Sequence, residues 1–164
     1  MNHFKPPGYQ PTTGNPVSVF LAGSIEMGSA PDWQAQIARR LQKANLAVDV
    51  FNPRRDDWNP RWEQSINNKQ FAQQVHWELD HIASCDIVFF YFAPGTASPV
   101  SMLELGLSLA SYAQTIVCCP EGFGRKGNID IVCERFENEV FTSLDDAYTV
   151  LETTVRNTIS PEYY

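Results

Sequence analysis

The sequence has no long hydrophobic run. Its most apolar stretches, Asp86 to Phe92 and Met102 to Ala110, fall well short of the roughly 20 residues a membrane-spanning helix needs, so no membrane partner is expected. Positive charge is scarce: 12 Lys+Arg against 19 Asp+Glu leave a net charge of −7, and so acidic a chain offers no electrostatic footprint for a nucleic-acid polymer. Cysteine is sparse. Cys85, Cys118, Cys119 and Cys133 make neither the CxxC pairs of a zinc site nor the framework of a small secreted domain, which leaves packed thiols and no metal site. The opening Met1-Asn2-His3-Phe4-Lys5-Pro6-Pro7-Gly8 lacks the basic-then-apolar order of a signal peptide, so a cytoplasmic location is expected. No internal repeat, low-complexity tract or second domain is visible.

What is present suits one folded unit: 164 residues, 43% of them apolar, bury a layered core without staples. Residues 1–16, rich in proline and glycine, read as an N-terminal arm, and 17–164 as a single domain. Val17 to Ala22 is a β-prone run halted by Gly23-Ser24, and apolar residues at 33, 37, 41 and 44 follow at helical spacing. Leu46 to Phe51 is a second strand, stopped at Asn52-Pro53. Phe71, Val75, Leu79 and Ile82 mark a helix from about 66 to 84, ahead of a third, central strand over 86–92. Pro99 to Ala113 reads as a helix with Ser98 as its cap and Pro99 in its first turn. Thr115 to Cys119 is a fourth strand with Cys118 and Cys119 facing opposite sides, Ile129 to Cys133 a short fifth, and 143–158 a last helix. Strands alternating with helices predict an α/β domain around a mostly parallel five-stranded sheet, with ligands bound beyond the carboxyl ends of its strands.

Chemistry-bearing residues gather at those ends. Glu104 is the only carboxylate of its helix and lies toward the amino end, whose dipole favours an ionised nucleophile. The plain alternative is a polar stripe, because Ser101, Glu104, Ser108 and Ser111 share one helical face. Glu78 and Asp80 lie near the carboxyl end of the preceding helix, where the dipole raises a carboxyl pKa and suits a general acid; solvated surface charges are the other reading. The loop with Asn52, Arg54, Arg55, Trp58 and Trp62 suits a flat heteroaromatic ligand, through stacking and guanidinium hydrogen bonds, unless its arginines and aspartates merely pair with one another. Gly23-Ser24-Ile25-Glu26-Met27-Gly28 and Gly122 to Asn128 are weak as glycine motifs.

In order along the chain, Val19-Phe20-Leu21-Ala22-Gly23-Ser24-Ile25, Asn52-Pro53-Arg54, Trp77-Glu78-Leu79, Cys85-Asp86-Ile87-Val88, Ser98-Pro99-Val100-Ser101-Met102-Leu103-Glu104-Leu105-Gly106 and Arg125-Lys126-Gly127-Asn128 resemble the nucleoside 2-deoxyribosyltransferase family over roughly residues 17–135. The resemblance implies a flavodoxin-like (Rossmann-like) three-layer fold and an assembly in which a neighbouring subunit completes each site. It makes Glu104 the nucleophile that takes up the deoxyribosyl group and Glu78 the acid for the leaving base, with Asp80 as the fallback. Gly23 and Ser24 match the pocket-lining loop, and Asn128 an asparagine that a neighbour offers to the sugar 5′-hydroxyl. Ser98 departs from the pattern, standing where well-characterised transferases carry an aspartate that touches the sugar. Gly23-Ser24-Ile25 also looks like the related 2′-deoxynucleoside 5′-monophosphate N-glycosidases, whose serine there helps to hold phosphate.

The resulting expectation is a deoxyribosyltransferase exchanging the bases of 2′-deoxynucleosides with free nucleobases, through a covalent glutamate ester, with retention and without a metal or organic cofactor. Water as acceptor makes the same site an N-glycosidase, with Ser24, Arg125 and Lys126 as its phosphate contacts. A noncatalytic nucleotide-binding module is the third reading. The final Ser160-Pro161-Glu162-Tyr163-Tyr164 has no assigned role.

Overall fold

A computed structural model describes residues 1–8 and 14–159. The elements run β1 (Asn2–Phe4), β2 (Val17–Gly23), a 3-10 turn (Glu26–Gly28), α1 (Trp33–Lys43), β3 (Val48–Phe51), α2 (Lys69–Ser84), β4 (Ile87–Tyr91), α3 (Pro99–Leu109), β5 (Gln114–Cys118), α4 (Lys126–Arg135), β6 (Val140–Phe141) and α5 (Leu144–Ile159). All pairings in the sheet are parallel, in the order β1-β3-β2-β4-β5-β6. From β2 the chain first steps to β3 and then crosses back to β4, so the order reverses between the carboxyl ends of β2 and β4. That switch point is where α/β sheets open a crevice for ligand.

Strand residues alternate between two cores because successive side chains point to opposite faces. Val17, Val19 and Leu21 join Trp33, Ile37, Phe89 and Leu151 under α1 and α5. Phe20 and Ala22 join Trp77, Phe90, Leu105 and Ile129 under α2, α3 and α4. The result is the three-layer arrangement expected. Cys118 belongs to the first core and Cys119 to the second, as alternation requires, and burial pushes their thiols up to about 12 and about 11.

The sheet has six strands rather than five, and two segments differ from the sequence reading. Part of the amino-terminal arm is a strand: Asn2–Phe4 pairs in parallel with Asp49 to Phe51. The fully buried Asp49 explains this, since it accepts hydrogen bonds from the amides of Asn2 (2.8 Å) and Asn15 (2.6 Å), and a buried carboxylate needs such donors. Phe4 stacks on Phe51 at 5.1 Å, and Trp77 Nε1 donates to the Gly8 carbonyl at 2.9 Å. The second difference lies at 129–133, which belongs to α4. Ile129 and Cys133, four apart, are buried, while Ile131 is 68% exposed; a short apolar run fits either period, and here burial follows the helical one. The missing strand is supplied by Val140–Phe141.

Two helices are shorter than their periodicity suggests. Asn68 accepts from the Phe71 amide at 3.0 Å and starts α2 at Lys69, and α3 stops at Leu109. The closing 160–164 lie outside the described residues.

Candidate active site

The carboxyl ends of β2, β3 and β4 and the first turns of α3 surround a cavity of about 460 Å³. Gly23 makes its floor possible. The residue has φ +134°, and a Cβ on it would lie 2.2 Å from the Tyr91 carbonyl oxygen, so only glycine lets β2 and β4 close at this point. The Ser24 amide then donates to Tyr91 O at 2.9 Å.

Ser24 itself does not line the cavity. Fully buried, its hydroxyl accepts from the Ala93 amide (2.8 Å) and lies 2.7 Å from both Thr96 Oγ1 and Ser98 Oγ. Its carbonyl receives Trp33 Nε1 at 2.9 Å. It is therefore a clamp between the loops after β2 and β4. Ser98 does line the cavity, but its hydroxyl makes no capping bond to α3, because the residue adopts a left-handed conformation (φ 42°) that turns it toward Ser24. Glu26 takes over the cap: its Oε1 accepts from the amides of Ala97 (3.0 Å) and Ser98 (2.9 Å). Glu26 also lines the cavity, and only its place in the Gly23-to-Gly28 segment hinted at this from the sequence.

Glu104 and Glu78 face this cavity from α3 and α2. The polar stripe of α3 turns inward: Ser101 Oγ donates to Gly23 O at 3.0 Å, and Ser108 Oγ lies 2.7 Å from Thr115 Oγ1. Glu104, on that same face, is only 7% exposed and accepts no hydrogen bond from the described residues. Burial, and then the charge of Glu78, push its carboxyl up to about 8. The helix amino end does not hold it ionised as expected, because the dipole acts within the first turn and Glu104 lies beyond it. Glu78 is pushed up to about 7 by burial, against a 2.9 Å hydrogen bond from Gln74 Nε2; desolvation, not the helix terminus, is the cause. Near neutral pH the two carboxyls hold about one proton between them.

Asp80 is excluded from the cavity. Two residues on from Glu78 it points roughly 200° around the helix, and it is exposed to solvent. Asn128, in the first turn of α4, is exposed and outside the lining, and Lys126 is held by Asp130 at 2.8 Å.

The loop after β3 divides its residues. Asn52 is a turn former, buried, with Oδ1 accepting from the Arg54 amide at 2.9 Å. Arg54 lines the cavity, yet its guanidinium is spent on the carbonyls of Ala30 and Pro31 (3.0 Å each) and on Asp32 at 3.5 Å. Arg55 pairs with Asp57 through two nitrogens and lies over the Trp62 ring at 4.9 Å. Trp58 lines the cavity, edge-on to Trp62 at 5.2 Å, with its buried Nε1 lacking a hydrogen-bond partner. Gln74 Oε1 is likewise buried without a partner, while Nε2 is committed to Pro53 O (2.9 Å) and Glu78. A donor and an acceptor thus stand ready beside the apolar wall of Phe71 and Val75. Gln74, one helical turn before Glu78, escaped the sequence reading although its spacing could have revealed it.

No curated protein matches this chain. Among solved structures, a conserved protein from Enterococcus faecalis V583 superposes with a TM-score of 0.50 at 14% identity, over 84% of this chain and 87% of its own length; that likeness speaks to the fold. The family model described as nucleoside 2-deoxyribosyltransferase like matches residues 16–123, the stretch holding both cavity glutamates. With two thirds of its length matched, the chain belongs to the nucleoside 2-deoxyribosyltransferase-like family.

Proposed function

We propose that the protein transfers the deoxyribosyl group of 2′-deoxynucleosides between bases, with Glu104 as nucleophile and Glu78 as acid and base. The observation that carries this reading is a pair of carboxyls, Glu104 buried and Glu78 half-buried, facing one cavity from two helices. A Glu104 oxygen bonds to the anomeric carbon as the carbon–nitrogen bond to the base breaks, and the Glu78 proton passes to the departing nitrogen. Positive charge growing on the sugar draws the pair's negative charge to Glu104 and leaves the proton on Glu78. An incoming base then attacks the anomeric carbon, gives its proton to Glu78 and frees Glu104, with net retention. Trp58, Phe71 and Val75 suit the flat base. This chemistry calls on no cofactor. We assign it to the cytoplasm, in keeping with four unbridged cysteines and the want, among described residues, of any helix long and apolar enough to cross a membrane.

The direct test is chromatography of the pure protein with deoxyinosine or thymidine plus free adenine. New deoxyadenosine is the expected product. Free base without new nucleoside assigns hydrolysis instead, and no change in either removes the enzymatic reading.

The carboxyl pair also dictates a pH profile. Below about 7 both groups hold protons and no nucleophile exists; above about 8 both are ionised and no acid remains. The expected kcat/KM is a narrow bell peaking between these values. Glu78→Gln, which removes the proton donor and the pair's second ionisation, should lower the rate and abolish the base limb while leaving the acid limb in place; a base limb that persists counts against Glu78 as the acid.

A homo-oligomer with shared sites accompanies this reading. The outward face of α3 carries Val100, Leu103 and Leu107, at 57%, 68% and 49% exposure, and Val100 also lines the cavity. Such a stripe suits a second copy. Light scattering should give a multimer for the wild type and a smaller, less active species for Leu103→Lys; a wild-type monomer rejects the assembly.

A further inference from the structure

The cavity has two chemically distinct walls, and on the reading that Glu104 and Glu78 act on an N-glycosidic bond they orient the substrate. The aromatic and apolar wall of Trp58, Phe71 and Val75 takes the base, which leaves the sugar hydroxyls toward Gly23, Glu26 and Ser98. Glu26 sits at the amino end of α3, six residues before Glu104 if counted from Ser98, or about 9 Å along the axis. A sugar whose anomeric carbon meets Glu104 therefore directs its far end toward Glu26.

That end of α3 would ordinarily attract an anion, since free amides and the helix dipole converge there. In this chain Glu26 already fills the position, with Oε1 receiving the amides of Ala97 and Ser98 and lying 3.4 Å from Ser98 Oγ. The arrangement is built in at a conformational cost, because Glu26 holds φ 49°, a left-handed value uncommon for a residue with a side chain. Its other oxygen, Oε2, accepts no hydrogen bond from the described residues and remains able to receive one.

The charges around the cavity point the same way. Among the described residues three carboxyls line it, those of Glu26, Glu78 and Glu104. Of the two arginines in the wall, Arg54 is paired with Asp32 and Arg55 with Asp57, which offsets their charge, although Arg55 Nη1 is buried without a hydrogen-bond partner. Ser24 is sealed in the interior and Lys126 is bound to Asp130, so neither stands ready for phosphate. A phosphate dianion entering here would meet net negative charge in a confined space.

We infer that Glu26 determines substrate class: it occupies the anion seat of α3 and receives a sugar hydroxyl, so the site accepts 2′-deoxynucleosides and rejects their 5′-monophosphates. The test compares kcat/KM for deoxyinosine and deoxyinosine 5′-monophosphate in the wild type, Glu26→Gln and Glu26→Gly. Glycine relieves the positive φ while emptying the seat, so that variant should fold, and a melting curve checks it. The wild type should prefer the nucleoside by on the order of 10²-fold or more. Glu26→Gln, which keeps an oxygen for the two amides, should lose about tenfold on the nucleoside, mainly through KM. Glu26→Gly should lower the nucleoside-to-monophosphate ratio at least about tenfold and make inorganic phosphate a competitive inhibitor. A wild type that uses the monophosphate equally well overturns the inference, as does a ratio unchanged in both variants. If the wild type turns over neither compound and Glu104→Gln binds neither by calorimetry, the functional reading itself fails, and this inference with it.

Discussion

Glu104→Gln should lose turnover by at least about 10³-fold, because the amide cannot form the ester on which the double displacement depends. It should also gain stability, and the two effects share one cause. In the folded protein the Glu104 carboxyl is raised to about 8 by burial and by Glu78, whereas in the unfolded chain it titrates in the ordinary carboxylate range. The folded state thus binds the proton more tightly, and stability falls as pH rises from the unfolded value through the folded one. Glutamine, always neutral, avoids that loss. Urea midpoints should show the variant more stable than the wild type by on the order of 2 kcal/mol near about pH 8, with the gap closing near about pH 5. Retained turnover would remove Glu104 as nucleophile, and a gap equal at both pH values would contradict its strained ionisation.

Gly23→Ala should cost more stability than any other single methyl added at the site, about 3 kcal/mol or more. The new Cβ would meet Tyr91 O, N and C at 2.2, 2.8 and 2.9 Å, all backbone atoms that cannot swing aside. Relief requires β2 and β4 to part at the Gly23–Tyr91 pairing, which also breaks the bond from the Ser24 amide. The cavity floor would open with it, so activity and stability should fall together. Gly106→Ala is the matched control. Its Cβ would have nothing within 4 Å, and alanine within a helix is favoured over glycine by roughly 0.5–1 kcal/mol, so that protein should melt at or above the wild-type midpoint. A Gly23→Ala protein with an unchanged midpoint would mean that the strands do not approach so closely.

The layered fold was legible because it rests on periodicity. Val17, Val19 and Leu21 against Phe20 and Ala22 show the two-sided burial of a central strand, and residues 33, 37 and 41 the single face of α1. Periodicity failed where two patterns coincide, as at Ile129 to Cys133, and where a polar contact from elsewhere recruits a segment, as Asp49 recruits Asn2. The candidate site was legible in part. Glu104 and Glu78 stood out as carboxylates on helices bordering the strand ends. The choice between Glu78 and Asp80 needed the rotation of α2 about its axis, and the inward turn of Ser101, Glu104 and Ser108 needed the packing of α3 on the sheet.

By itself the sequence determined the parallel α/β architecture and the position of the crevice, since these follow from spacing along single elements, and it marked Glu104 and either Glu78 or Asp80 as the candidate carboxylates. Only the tertiary structure decided that Ser24 is a buried clamp, that Glu26 caps α3 in place of Ser98, and that both glutamates are protonated far above the usual range. Those properties depend on atoms brought together from β2, the 3-10 turn, α2 and α3. Hydrogen bonding and desolvation act through space, and chain spacing alone does not record them.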